Sequence, residues 1–122
     1  MGWFSSKKSS SNEPIVPRVQ GNSVIVCSPR GGEIYRFTPT FGGGAVYVDV
    51  HPRTNRMLVT VQDGRVGLYE GTAQIQIYNI QNAETARWTG DDVLVKHKDG
   101  RNRQTPWGGC TDANPKLLLN DT

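Results

Sequence analysis

The chain is predicted to be an all-β domain: a small antiparallel meander, barrel or sandwich of about seven to nine short strands. Three observations predict it. Short runs rich in Val, Ile, Tyr and Thr recur along the chain, separated by clusters of Gly, Pro, Asn and Asp. Two stretches share one hairpin plan, MLVTVQDGRVGLYEG at 57–71 and VLVKHKDGRNRQTPW at 93–107, each with Asp-Gly-Arg between extended segments. No segment shows the 3.6-residue apolar period of a long amphipathic helix.

The elements follow in chain order. Residues 1–22 read as a flexible N-terminal arm. Ser and Lys come first, and Pro14 and Pro17 then favour extended backbone that ends in an edge strand. A single β domain is expected over 23–110 and an irregular tail over 111–122. SVIVC (23–27) is a short apolar strand and SPRGG (28–32) a turn cluster. EIYRFT (33–38) is a second strand, broken by PTFGGG (39–44). In AVYVDV (45–50) alternation puts Val46, Val48 and Val50 on one face and Tyr47 and Asp49 on the other. HPRTNR (51–56) is a polar loop.

In the first hairpin Asp63-Gly64 predicts a two-residue turn of type I′. That register sets Val61 opposite Val66 and Val59 opposite Leu68. Met57, Val59, Val61, Val66 and Leu68 then share a core face, and Thr60, Gln62, Arg65 and Gly67 form a wet one. QIQIYNI (74–80) alternates again, with Ile75 and Ile77 together. QNAETARW (81–88) fits either a helical turn or a strand, and TGDD (89–92) is a turn.

The second hairpin carries the functional expectation. A two-residue turn at Asp99-Gly100 sets Lys98 opposite Arg101 and Lys96 opposite Arg103, so that Lys96, Lys98, Arg101 and Arg103 project from one face. Like charges placed opposite one another are unfavourable unless an anion or an acidic partner sits on them. The opposing reading is a solvated tip whose charges block edge pairing. The formal charge of +3 and a pI near 9.1 are mildly basic, less than a dedicated nucleic-acid binder carries.

No constellation for catalysis or metal binding is apparent. His51, His97, Cys27 and Cys110 lack the close-spaced ligand pairs of zinc sites, so neither a metal nor another cofactor is expected, and both cysteines read as reduced thiols. Gly42-Gly43-Gly44 precedes a strand pattern with no P-loop lysine, so it reads as a turn or bulge. Asp91-Asp92 lies in a turn signal, where Asp is common. The start MGWFSSKK places Trp3, Phe4, Lys7 and Lys8 as a partner-anchoring arm. Gly2 and Ser6 also fit a short N-myristoylation pattern, too weak to predict a membrane partner. There is no secretory h-region and no apolar run of membrane-spanning length, so a soluble protein is expected, in the cytoplasm or within a viral particle.

AVYVDVHPRTNRMLVTVQDGRVGLYE (45–70) resembles one blade of a WD-repeat propeller in its order of strand, His-Pro loop, strand, Asp-Gly turn and strand. A propeller takes about four or more blades, and no Gly-His or Trp-Asp signature accompanies this one. The resemblance implies a three-stranded meander there and no more.

Together these readings predict a non-enzymatic structural or adaptor subunit of a larger assembly, for example a viral or phage particle component. Its partners would be other protein subunits, as a homo- or hetero-oligomer. The alternative is a nucleic-acid-binding β module using the basic hairpin at 96–103.

Overall fold

A computed structural model describes residues 13–78, 80–90 and 92–105, with side chains up to residue 102. Trp3, Phe4, Lys7, Lys8, Gly2, Asp91, Trp107, Cys110 and the tail at 111–122 lie outside the described residues. The described chain is all-β and antiparallel, as expected. Its strands are β1 (Val16–Gln20), β2 (Ser23–Cys27), β3 (Glu33–Phe37), β4 (Ala45–Val50), β5 (Met57–Val61), β6 (Val66–Glu70), β7 (Ala73–Tyr78), β8 (Ala83–Thr89), β9 (Asp92–His97) and β10 (Asn102–Thr105). The end of the segment read as an arm supplies edge strand β1, and the ambiguous segment at 81–88 supplies β8. No helix of the described residues is long and apolar enough to cross a membrane.

The strands form three consecutive meanders, with orders β1-β2-β3, β4-β5-β6-β7 and β10-β9-β8. The middle sheet is buried on both faces. Met57, Val59, Val61 and Tyr69 pack with Val24, Val26 and Ala45 on the side of the first sheet. Leu58, Val66 and Leu68 pack with Ala83, Ala86, Val93 and Val95 on the side of the third. Every residue of β5 is buried, as expected of a strand covered on both faces. Phe37 meets Tyr69 with ring centroids 4.7 Å apart, joining the first two layers.

This layering corrects the expected register of the first hairpin. The pairs are Met57 with Tyr69, Leu58 with Leu68, Val59 with Gly67 and Thr60 with Val66. The loop has three residues, not two: Gly64 N–H donates to Val61 O (2.9 Å) and Val61 N–H to Arg65 O (3.0 Å). Asp63 keeps a negative φ and Gly64 alone is left-handed, at φ +93°, the pattern of a type I turn closed by a glycine bulge. One additional loop residue turns β6 over. Val66 and Leu68 therefore face the third sheet with Leu58, and the face read as wet is a second core.

Bulges account for smaller departures. The register shifts between Ala45 and Tyr47, so Val46 leaves the face of Val48 and Val50 and is 44% exposed. On the β6–β7 ladder Tyr69 pairs with Gln74 and Leu68 with Gln76. Ile75 is the additional residue of that bulge.

Thr60 is fully buried, and its Oγ1 has no hydrogen-bond partner among the described residues. A buried hydroxyl without a partner costs free energy that an isosteric methyl does not. Thr60→Val is expected to raise stability by about 1 kcal/mol. In urea this would read as a higher midpoint at unchanged slope. A lower midpoint would show that the hydroxyl is bonded in solution.

Candidate functional site

The basic hairpin repeats the register of the first. His97 N–H donates to Arg101 O (2.8 Å) and Gly100 N–H to His97 O (2.9 Å), so Lys98 is a loop residue. Lys96 pairs with Asn102, and Arg103 pairs with Val95. The expected cross-strand pairing of Lys96 with Arg103 is not the one found: the two positions are offset by one residue. The side chain of Arg103 lies outside the described residues.

The three described cations each have a nearby partner. Lys96 Nζ lies 3.8 Å from Glu84 Oε1. Lys98 Nζ donates to the Gln62 carbonyl at 3.3 Å. Arg101 Nε donates to Asp99 Oδ2 at 2.9 Å. Exposed ion pairs of this kind add little stability, but they lower the local positive potential available to an anion.

Both Asp-Gly-Arg tips have the same internal geometry. Asp63 Oδ1 accepts the Arg65 backbone N–H (3.1 Å) and Oδ2 accepts Arg65 Nε (2.9 Å). Asp99 does the same with Arg101, at 3.0 and 2.9 Å. The side-chain bond from Arg65 holds the Asp63 carboxyl below its usual range, helped by the backbone bond and the nearby Lys98. For Asp99 the backbone N–H of Arg101 is the main cause. The tips also share a footing. Ala83 N–H donates to Gly64 O (3.0 Å), and Lys98 N–H donates to Asn82 O (2.9 Å). Asn82 and Ala83 therefore lie between the two hairpin ends and tie them together.

The groups with chemical potential are occupied in holding backbone. His51 is 1% exposed, and its Nδ1 accepts the N–H groups of Arg53 (3.1 Å) and Thr54 (3.3 Å). The ring stands edge-on to Trp88 with centroids 5.0 Å apart. Trp88 in turn donates its backbone N–H to Asp49 Oδ2 (2.8 Å) and Nε1 to the Arg56 carbonyl (3.2 Å). The loop after β4 is thus fastened to β8 of the third sheet. Nothing in the sequence linked Asp49, His51 and Trp88, because the contacts join segments far apart in the chain. Cys27 is a buried free thiol at the end of β2. Among the described residues no three His, Cys, Asp or Glu side chains gather as a metal site.

The outer face of the first sheet offers a different surface. Val16 pairs with Cys27 across β1 and β2. Cys27 pairs with Glu33 across β2 and β3, where a bulge inserts Ile34. Val16 (50% exposed) and Ile34 (54%) thus flank Cys27, and they are the two most exposed large apolar side chains among the described residues. A charged row runs beside them. Arg18 and Arg36 are the cross-strand partners of Ile25, which is 1% exposed. Arg36 grips Glu33 through Nε (2.8 Å) and Nη2 (2.6 Å). That hydrogen bonding is the main reason the Glu33 carboxyl titrates below its ordinary value. Sequence reading missed this row, since only the β2–β3 bulge brings Ile34 beside Cys27. No protein-family model matches the chain, and no curated protein matches it.

Proposed function

We propose that the chain is a non-enzymatic structural or adaptor subunit that binds neighbouring proteins, a component of a viral or phage particle being one version. The observation that carries this reading is the apolar row of Val16, Cys27 and Ile34, with its arginine and glutamate border, on the outer face of the first sheet. An apolar centre with a charged rim is the usual anatomy of a protein interface. The occupied state of His51 and of both Asp-Gly-Arg tips supports a role built on surfaces over one built on reactive groups.

Sedimentation and native mass measurement on material from the source cell test the reading. The wild-type chain is expected above its 13.5 kDa monomer mass. A Val16→Asp/Ile34→Asp variant, with unchanged circular dichroism, is expected to lose that association. A strict monomer with no partner in a native pull-down would overturn the proposal. Nucleic-acid binding by the basic hairpin draws less support, because Lys96, Lys98 and Arg101 are already engaged within the molecule.

A further inference from the structure

We propose that Asp99 is a site of spontaneous isoaspartate formation, and that the fold confines this modification to the second of the Asp-Gly-Arg tips. Asp followed by Gly is the pair most open to the reaction, because glycine has no Cβ to shield its amide nitrogen and leaves the backbone free to turn. The chemistry needs only water. Gly100 N attacks Cγ of the protonated Asp99 carboxyl. The Cγ–N bond forms, a Cγ–O bond breaks, and the hydroxyl leaves as water with the amide proton. Water then adds to the Asp99 carbonyl carbon of the cyclic imide, and the bond from that carbon to Gly100 N breaks. The main chain now runs through Cβ and Cγ, and the carboxylate stands on Cα. Mass and charge are unchanged, and nothing is oxidised or reduced.

The internal geometry of the tips gives no reason for a choice. In each, the glycine N–H is engaged, donating at 2.9 Å to Val61 O or His97 O. In each, the Asp carboxylate is held by the backbone N–H and Nε of the following arginine. Both carboxyls titrate below their ordinary range, so ionisation does not distinguish them either. Either tip therefore reacts only through a local opening that breaks these bonds.

What differs is what else must break. In the first loop every residue is bonded to another segment. Gln62 N–H donates to Gly44 O (3.0 Å), Asp63 N–H donates to Gly42 O (3.0 Å), and Gly64 O accepts Ala83 N–H (3.0 Å). Gly64 is also buried. In the second loop only the backbone of Lys98 is bonded in this way, to Asn82 O at 2.9 Å. Among the described residues, the backbone of Asp99 and Gly100 is bonded only within the hairpin, and both residues are exposed. The peptide link between them can turn toward Cγ with the rest of the hairpin in place. The same turn at Asp63 pulls the tip off residues 42–44 and 83. In the product, the added main-chain carbon and the displaced carboxylate undo the bonds from Asp99 to Arg101, which releases a guanidinium on the basic hairpin. The modification goes beyond the assembly reading and does not depend on it.

Ageing of the purified full chain in warm neutral buffer is the test, with isoaspartate located by peptide mapping and electron-based fragmentation. Two more backbone bonds must break at the first tip than at the second. Asp99 is therefore expected to convert at least about tenfold faster than Asp63 in the folded chain. In denaturing urea, where neither tip is held, the two rates are expected to agree within about threefold. Asp99→Glu, whose additional methylene disfavours ring closure, is expected to abolish the signal at the second tip and to leave Asp63 as slow as before. Conversion of Asp63 as fast as Asp99 in the folded chain would overturn the proposal. So would a folded chain that forms no isoaspartate at Asp99 while the unfolded chain does. A preference for Asp99 that persists at full size in urea would also overturn it, since neighbouring side chains rather than the fold would then set the choice.

Discussion

Replacing Gly64 with alanine is expected to destabilise the fold by about 2–4 kcal/mol, against about 1 kcal/mol for the same change at Gly100. The two positions are matched. Each closes a three-residue loop, Gln62-Asp63-Gly64 and Lys98-Asp99-Gly100, with φ of +93° and +92°, so the backbone penalty for a side chain is the same at both. Their surroundings differ. A Cβ at Gly100 would meet nothing within 4 Å, whereas at Gly64 it would lie 2.6 Å from Asn82 N, 2.8 Å from Asn82 Cα and 3.1 Å from Ala83 N. Those atoms are backbone, so no rotamer change relieves the clash. The connection into β8 would have to move, breaking the bond from Ala83 N–H to Gly64 O. Urea unfolding of the two variants checks the difference as a shift in midpoint at constant slope. Equal costs would mean that the first hairpin tip does not rest on residues 82–83 in solution.

The fold class was legible in the sequence because it depends on local signals. β-branched runs and turn residues act within a few positions, and their chemistry alone marks most strands and breaks. What was not legible depended on single inserted residues. Asp-Gly is compatible with both a two-residue and a three-residue loop, and the choice decides which face Val66 and Leu68 occupy. β8 is a second case. Ala83 and Ala86 are both fully buried, a spacing of three that imitates a helix. The cause is a register shift between Ala83 and Thr85, which adds a residue to the strand's alternation. A bulge of this kind leaves no mark in composition or period.

The expected basic face depended on the same unseen residue. With a two-residue loop, Lys96 and Arg103 would stand opposite one another, and only an external anion would relieve the repulsion. In the observed register Lys96 stands opposite Asn102 and close to Glu84, so the repulsion that suggested a ligand is absent. The uncharged run of β7, by contrast, was present in the sequence, whereas its place as the outer strand of the middle sheet among the described residues was not. Charge along one strand is readable from sequence, but its place in the sheet order is not.

Leu58→Ala and Met57→Ala are each expected to cost about 2–5 kcal/mol, although these neighbours point to opposite faces of one strand. Alternation ordinarily gives such a pair one buried and one solvated member, and then only one truncation is expensive. Here Met57 and Leu58 are both 0% exposed, Met57 packing toward the first sheet and Leu58 toward the third. The two-residue turn would instead leave Leu58 on the wetter face near the open end of the hairpin, where its truncation costs well under about 1 kcal/mol. Denaturant midpoints of the two single variants therefore measure the register directly. Comparable losses at both positions would establish the middle sheet as a layer buried on both sides. A cheap Leu58→Ala beside an expensive Met57→Ala would restore the two-residue loop and remove the third sheet from its place against β5. The run MLVTV carries the same message in its composition. Four of its five residues are apolar, with Met57 and Leu58 on opposite phases, where a half-solvated strand would alternate.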